Sequence, residues 1–370
     1  MPEKNPKSAL NVMNGVNQPS QINEEALRKL KRPRQPEVAE FVAGIREGNR
    51  TLLSKAITLV ESSLHIHQEK AQLIIEECLK SCVHKPGNQS IRIGITGVPG
   101  VGKSTFIESF GKYLTTSGHK IAVLAIDPSS SRSKGSILGD KTRMEELSID
   151  PNAFIRPSPS AGTLGGVARK TRETILLCEA AGFDIILVET VGVGQSETEV
   201  HGMVDFFLLL MLAGAGDELQ GIKRGIIEMA DAILINKADG DNVKNACVAR
   251  SEYANALHFF PPAPSGWNPV VATCSSRTGK GIPEIWKIIS EYRELTFQNG
   301  YFNQRRLEQS RKVFFDSIED ALKSHFFSNK EIHNQLHSFE KEILEDKINP
   351  YKAAQMLLAK YFTLSPSSGK

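Results

Sequence analysis

The sequence predicts an α/β protein built on a mostly parallel, doubly wound sheet, with an N-terminal helical extension and a C-terminal helical arm. Three features point there. Seven short apolar runs recur between residues 91 and 273, segments with helical spacing separate them, and beyond residue 299 only the helical spacing remains. Runs that are apolar throughout, not alternating with polar residues, describe parallel strands covered on both faces.

Residues 1–36 carry five prolines and little periodicity, and are expected to form a flexible tail. Its basic run Arg28-Lys-Leu-Lys-Arg-Pro-Arg34 has the composition of a solvated linker. From residue 37 to 86 the apolar spacing is helical: Val38, Phe41, Val42 and Ile45, then Leu52, Leu53, Ala56, Ile57 and Val60, then Ala71, Ile74, Ile75 and Leu79. Asn49 and Thr51 offer N-cap chemistry between the first two stretches, and Lys85-Pro-Gly-Asn88 marks a boundary.

Residues 87–298 are expected to form one nucleotide-binding domain. Strands are predicted at 91–96, 121–126, 154–156, 185–189, 206–212, 232–236 and 270–273. Helices are predicted at 103–116, 164–181, 218–229, 241–257 and 282–296. Past 299, Phe314, Ile318, Leu322 and Phe326, then Ile332, Leu336, Phe339, Ile343 and Leu344, then Ala354, Leu357 and Leu358 describe three amphipathic helices. Their stripes must be buried against the core or another chain.

Composition narrows the function classes. A net charge of +3 gives no field that calls for nucleic acid or a membrane surface. The longest apolar run, 206–213, is too short to span a bilayer. Residues 1–20 lack both an apolar core and any arginine, so no targeting signal is evident and a cytoplasmic location is expected. Five scattered cysteines suit reduced thiols. His65-x-His67 lacks metal-ligand spacing, because residues two apart on a helix face different ways, and Cys78-x₃-Cys82-x-His84 contains no C-x₂-C pair.

The chemistry lies in four motifs. Gly97-Val98-Pro99-Gly100-Val101-Gly102-Lys103-Ser104-Thr105 contains G-x-x-x-x-G-K-[ST], preceded by a predicted strand and followed by a predicted helix, as a P-loop requires. Its glycines allow successive backbone N–H groups to converge on an anion, and the helix N-terminus adds partial positive charge. Lys103 is expected to reach the β- and γ-phosphates, and Ser104 to ligate Mg²⁺.

Asn236-Lys237-Ala238-Asp239 closes the sixth strand. A carboxylate at Asp239 can accept from both N1–H and the exocyclic amine of guanine, a donor pair that adenine lacks, so GTP and GDP are the expected nucleotides. Ser275-Ser276-Arg277 follows the last strand and fits a further guanine-contacting loop. Glu189-Thr-Val-Gly192 follows the fourth strand with the form of a γ-phosphate switch, Glu189 serving the metal directly or through water. Asp127 ends the strand after the P-loop helix and aims a second carboxylate at the same crevice, and Asp140 in the following polar insertion is a third candidate. Glu189 stands 86 positions after Lys103 with two further strands between. That spacing predicts a class in which another parallel strand separates the two phosphate-contacting strands, and whose members act as homodimers or with a dimeric partner.

Several segments together resemble the MeaB/ArgK family of G3E-type P-loop GTPases: Asp127-Pro-Ser-Ser, Ile137-Leu-Gly-Asp140-Lys-Thr-Arg-Met144, Leu164-Gly-Gly166, Glu189-Thr-Val-Gly-Val-Gly-Gln-Ser-Glu197 and Gly214-Ala-Gly-Asp-Glu-Leu-Gln-Gly-Ile-Lys-Arg-Gly225. The resemblance covers roughly 37–362. It implies a GTPase that escorts an adenosylcobalamin-dependent acyl-CoA mutase of the methylmalonyl-CoA mutase type, gating cofactor loading and removal of inactivated cobalamin. It also implies a homodimer built through the C-terminal helices. By position it assigns Asp127, Asp140 and Glu189 to the metal site and Gln195 to the second switch. The resemblance likewise implies that Lys223 lies in a mobile loop from which it can approach the phosphates when the partner is bound. Ser131-Arg-Ser-Lys134 departs from the more apolar stretch usual in the family. The competing readings are an ATPase or kinase of an arginine/ornithine transport system and a nickel-insertion GTPase of the same class.

Overall fold

The computed structural model describes residues 34–81, 89–126, 144–157, 164–190, 195–214 and 224–364. Seven strands form one parallel sheet: β1 (Ile91–Gly97), β2 (Ile121–Ile126), β3 (Ala153–Arg156), β4 (Ile185–Thr190), β5 (Phe206–Leu212), β6 (Ala232–Asn236) and β7 (Val270–Thr273). Their order is β3-β2-β4-β1-β5-β6-β7. β1, which leads into the P-loop, lies at the switch point where the chain winds one way to β2–β4 and the other way to β5–β7.

The strand order corrects one expectation. No strand separates β1 from β4; they pair directly, with Ile95 opposite Glu189. The two intervening strands lie beyond β4, at the edge of the sheet. Chain length between motifs measures how much structure is inserted, not where it is placed.

Alternating strand residues serve opposite faces, as a pleat requires. Ile186, Val188 and Phe207 join one core cluster, while Ile185, Leu187 and Phe206 join the other. The first face is covered by the N-terminal helices α1 (Val38–Arg46), α2 (Arg50–Glu61) and α3 (His65–Ser81) together with α6 (Leu164–Ala180). α4 (Lys103–Thr116) and α10 (Ile282–Gln298) cover the second. Asn49 caps α2, its side-chain oxygen accepting from the N–H groups of Thr51 and Leu52 at 3.0 and 3.1 Å. The short helix α5 (Glu145–Ser148) was not expected from its spacing.

The helix after β4, α7 (Gln195–His201), packs against β1 at a position where no side chain fits. That position is Gly94: a Cβ there would lie 2.9 Å from Val200 and 2.8 Å from Phe207. α8 (Arg224–Met229) precedes β6; the rest of its expected span, 218–223, lies outside the described residues. A 3₁₀ turn, Gly240–Asn242, opens the segment expected as helix 241–257, and α9 (Val243–Leu257) completes it.

Three helices close the chain: α11 (Tyr301–Ser328), α12 (Lys330–Leu344) and α13 (Pro350–Leu364). α11 is fastened to the sheet at its start. Arg306 grips Asp205 through two hydrogen bonds of 2.9 and 2.6 Å and also bonds the Ser90 carbonyl at 2.8 Å. Further along, Phe314, Phe315, Ile318 and Leu322 remain exposed. Among the described residues no helix is long and apolar enough to cross a membrane.

Candidate functional site

The expected P-loop follows β1. Gly97 has a positive φ, and a Cβ there would stand 2.4 Å from the Leu210 carbonyl of the neighbouring strand, so no side chain fits. Val98 and Val101 are buried and pin the loop, while Pro99 and Gly100 are exposed at its crest. Gly100 and Gly102 are left-handed, with φ of 77° and 92°. These angles suit a backbone that turns its N–H groups toward one centre. Lys103 then opens α4, placing the ammonium and the free amides of the helix start beside each other.

The ammonium of Lys103 donates to the carbonyls of Gly97 at 2.7 Å and Val98 at 3.3 Å. Burial lowers its pKa, and the charges of Glu189 and then Glu197 oppose that shift. The next residue, Ser104, donates its hydroxyl to Glu189 at 3.2 Å. A hydroxyl and a carboxylate in reach of one another are hard oxygen donors of the kind Mg²⁺ accepts, so the pair fits that ion. Thr105 is exposed.

The 236–239 segment, expected to read the base, bonds the P-loop directly. Asn236 is buried; its amide donates to the Val101 carbonyl at 2.9 Å, and its oxygen accepts from the N–H and hydroxyl of Ser276 at 3.2 and 2.9 Å. A Cβ at Gly102 would approach that amide to 3.2 Å. Lys237 takes a left-handed φ of 56° and donates to the Gly100 carbonyl at 2.9 Å. Asp239 accepts from the Ser275 hydroxyl at 2.5 Å, and Ser275 in turn accepts from the Thr278 N–H at 3.2 Å. Arg277 is exposed beside them. The structure therefore gathers the 97–105, 236–239 and 275–277 segments into one crevice at the carboxyl ends of β1 and β6.

Not every candidate falls within the described residues. Asp127, Asp140 and Lys223 lie outside them, as do Gly192 and the 131–134 departure. Gln195 opens α7, but its side chain likewise lies outside what the structure describes.

Other contributors were not singled out from the residues. Thr190 donates its hydroxyl to that of Thr96 at 2.9 Å, locking the ends of β4 and β1 together in a buried contact. Cys274 lends its thiol to the Asn236 oxygen at 3.5 Å, and burial pushes that thiol up to about 12, so it stays protonated. Glu197 is only 1% exposed. An acid in the first turn of a helix is ordinarily a solvated partner of the helix dipole. The signal that sets Glu197 apart is Val200, three residues on and packed at Gly94, which turns the same helical face toward β1.

Comparisons with known proteins identify the family of the chain. Residues 53–331 match the family model described as methylmalonyl Co-A mutase-associated GTPase MeaB. A putative GTPase of Caulobacter vibrioides is 50% identical over 85% of this chain and 94% of its own length. The mitochondrial methylmalonic aciduria type A homolog of Mus musculus is 46% identical over 87% of this chain and 79% of its own. The crystal structure of a LAO/AO transport system kinase is 37% identical and superposes with a TM-score of 0.69 over 93% of this chain and all of that one.

Proposed function

Because the chain belongs to the family of methylmalonyl Co-A mutase-associated GTPases, we propose that it hydrolyses GTP to gate adenosylcobalamin loading of a B12-dependent acyl-CoA mutase, and to protect or reactivate that enzyme. As a member of a GTP-hydrolysing family it is a GTPase. The finer assignment, to a mutase and its cofactor, is supported by the family description and by the name of the mouse relative.

The observation that carries the nucleotide reading is the crevice in which Asn236 joins the P-loop to the loop holding Ser275 and Ser276. In this reading the 97–105 amides and Lys103 hold the phosphates, while Asp239, steadied by Ser275, reads guanine. Ser104 and Glu189 would hold Mg²⁺, with Asp127 and Asp140 as further acids. Bound there, the ion supplies charge neutralisation at the β- and γ-phosphate oxygens. Gln195 and Lys223 belong to the segments that respond to the γ-phosphate and to the partner.

No arginine in the crevice is assigned to the transition state, so intrinsic turnover is expected to be slow and stimulated by the partner. GTPase assays with and without each candidate mutase test this. An unchanged rate in the presence of the cognate enzyme rejects the escort role. The exposed apolar stripe of α11 supports a homodimer through 299–370, with 37–86 as a helical extension of the 87–298 domain. Light scattering of the whole protein that finds only monomer at micromolar concentration would remove the dimer.

A second reading, a transport-system kinase, draws on the similarity to the LAO/AO transport system kinase. Asp239 argues against it, since a kinase ordinarily reads adenine. Calorimetry showing ATP bound more tightly than GTP would reverse the preference.

A further inference from the structure

α7 is a rod of two turns, roughly 10 Å long at the usual rise per residue. Its first turn carries the buried Glu197, whose charge acts on Lys103, and its last residue is His201, whose ring stands edge-on to Phe207 of β5. The chain then drops through Val204 and Asp205 into β5, and the Asp205 N–H donates to the Arg92 carbonyl of β1 at 2.8 Å.

A helix leaves its last carbonyls without intrahelical donors, and that end carries partial negative charge. Here the Gly202 and Met203 N–H groups close the Thr198 and Val200 carbonyls, both at 3.0 Å, and the His201 carbonyl takes its donor from elsewhere in the chain. Arg305 of α11 donates to the His201 carbonyl at 3.3 Å and to the Val204 carbonyl at 3.2 Å. Gln309, one turn further along α11, donates to the same Val204 carbonyl at 2.8 Å. A second tie runs beside the first: Arg172 of α6 meets Glu199 of α7 at 3.4 Å and Asp316 of α11 at 3.5 Å.

We propose that Arg305 and Gln309 are positioning residues for GTP hydrolysis: Arg305 holds the last carbonyl of α7 and Gln309 holds the turn that follows it at Val204, so that the near end of the helix keeps its place beside the P-loop. The inference rests on reading 189–197 as the switch of a GTPase. Arg306 bonds one residue further on: its pair with Asp205, and its bond to the Ser90 carbonyl, anchor α11 at the amino ends of β5 and β1. The long C-terminal helix therefore sets the alignment of the switch helix, and a displacement of α11 alters hydrolysis without touching nucleotide.

The test uses the full chain. Gln309→Met keeps the side chain's length and removes the donor; Arg305→Met removes the guanidinium bonds to the His201 and Val204 carbonyls, and the one to the Tyr301 hydroxyl. Single-turnover GTP hydrolysis, GDP affinity and melting temperature are measured for each. Glu319→Gln, which breaks an exposed pair with Lys323 on the same helix, is the control. The expected result is a roughly tenfold slower single turnover in Gln309→Met, the size of one lost hydrogen bond, with GDP affinity within about twofold of the parent. Glu319→Gln should match the parent throughout. A folded Gln309→Met that turns over as fast as the parent overturns the proposal. So does a parallel fall of rate and GDP affinity with melting temperature, which is the mark of a clamp serving stability alone. If Arg305→Met does not fold, Gln309→Met decides. A parent protein that hydrolyses no GTP sinks the GTPase reading and this proposal with it, whereas an active parent with an unaffected Gln309→Met sinks this one alone.

Discussion

Asn236 donates its side-chain amide to the backbone carbonyl of Val101 at 2.9 Å, so the end of β6 is tied directly to the 97–105 loop. The same side chain accepts from Ser276 on its other edge. Replacing Asn236 by Ala leaves buried partners unsatisfied, at about 1–3 kcal/mol. GTP and GDP affinities should both fall, roughly ten- to a hundredfold, because the loop serves both nucleotides. Isothermal titration with each nucleotide checks this. A loss confined to GTP would assign Asn236 to γ-phosphate sensing instead.

Asp239 offers a different kind of test. Asp239→Asn replaces an acceptor pair by one donor and one acceptor, which matches xanthine in place of guanine. Competition binding should show XTP overtaking GTP. If guanine is still preferred, another residue reads the base.

Lys103→Ala removes the one ammonium that lies within the P-loop itself. Hydrolysis should drop below detection, a loss of several kcal/mol of charge stabilisation on the order of other preorganised donors. Ser104→Ala should instead raise the Mg²⁺ concentration needed for half-maximal turnover, since its hydroxyl is paired with Glu189. A steady-state Mg²⁺ titration separates the two variants.

Glu179 predicts a pH dependence of stability. Burial opposes its ionisation, but the charge and hydrogen bonds of Arg92, then Arg306 and Ser90, outweigh burial and hold the carboxyl at about 2 against an ordinary 4.5. A depressed folded pKa means stability that is complete above pH 4.5 and lost as pH falls toward 2. Denaturant unfolding should find the parent losing about 2 kcal/mol more than Glu179→Gln between pH 6 and pH 3. Equal losses in the two proteins would remove Glu179 from the acid response.

Much of this was legible in the residues, for physical reasons that also mark where legibility ended. Runs such as Phe206–Leu212 announce strands because both faces are covered, and the P-loop announces itself because Gly97, Gly102 and Lys103 must occur at fixed spacing. The adjacency of β1 and β4 was misjudged because strand order is decided by which crossover packs where, a matter of tertiary contact. Glu197 drew no reading from the sequence, because its burial follows from Val200 standing against Gly94, a tertiary contact. Arg305 and Gln309 stood in a polar stretch of a long helix, and nothing local to them foretells partners a hundred residues upstream.

Gly94 sits mid-strand with nothing in its own backbone that demands a glycine, yet it governs how the molecule can be altered. Its missing methyl is the bearing on which the switch rod rests, with the nucleotide at one end and the C-terminal arm at the other. Adding that methyl would tilt the rod without removing a single polar contact from the crevice. An alanine at 94 should therefore yield a protein that still grips nucleotide but has lost the alignment between its two ends.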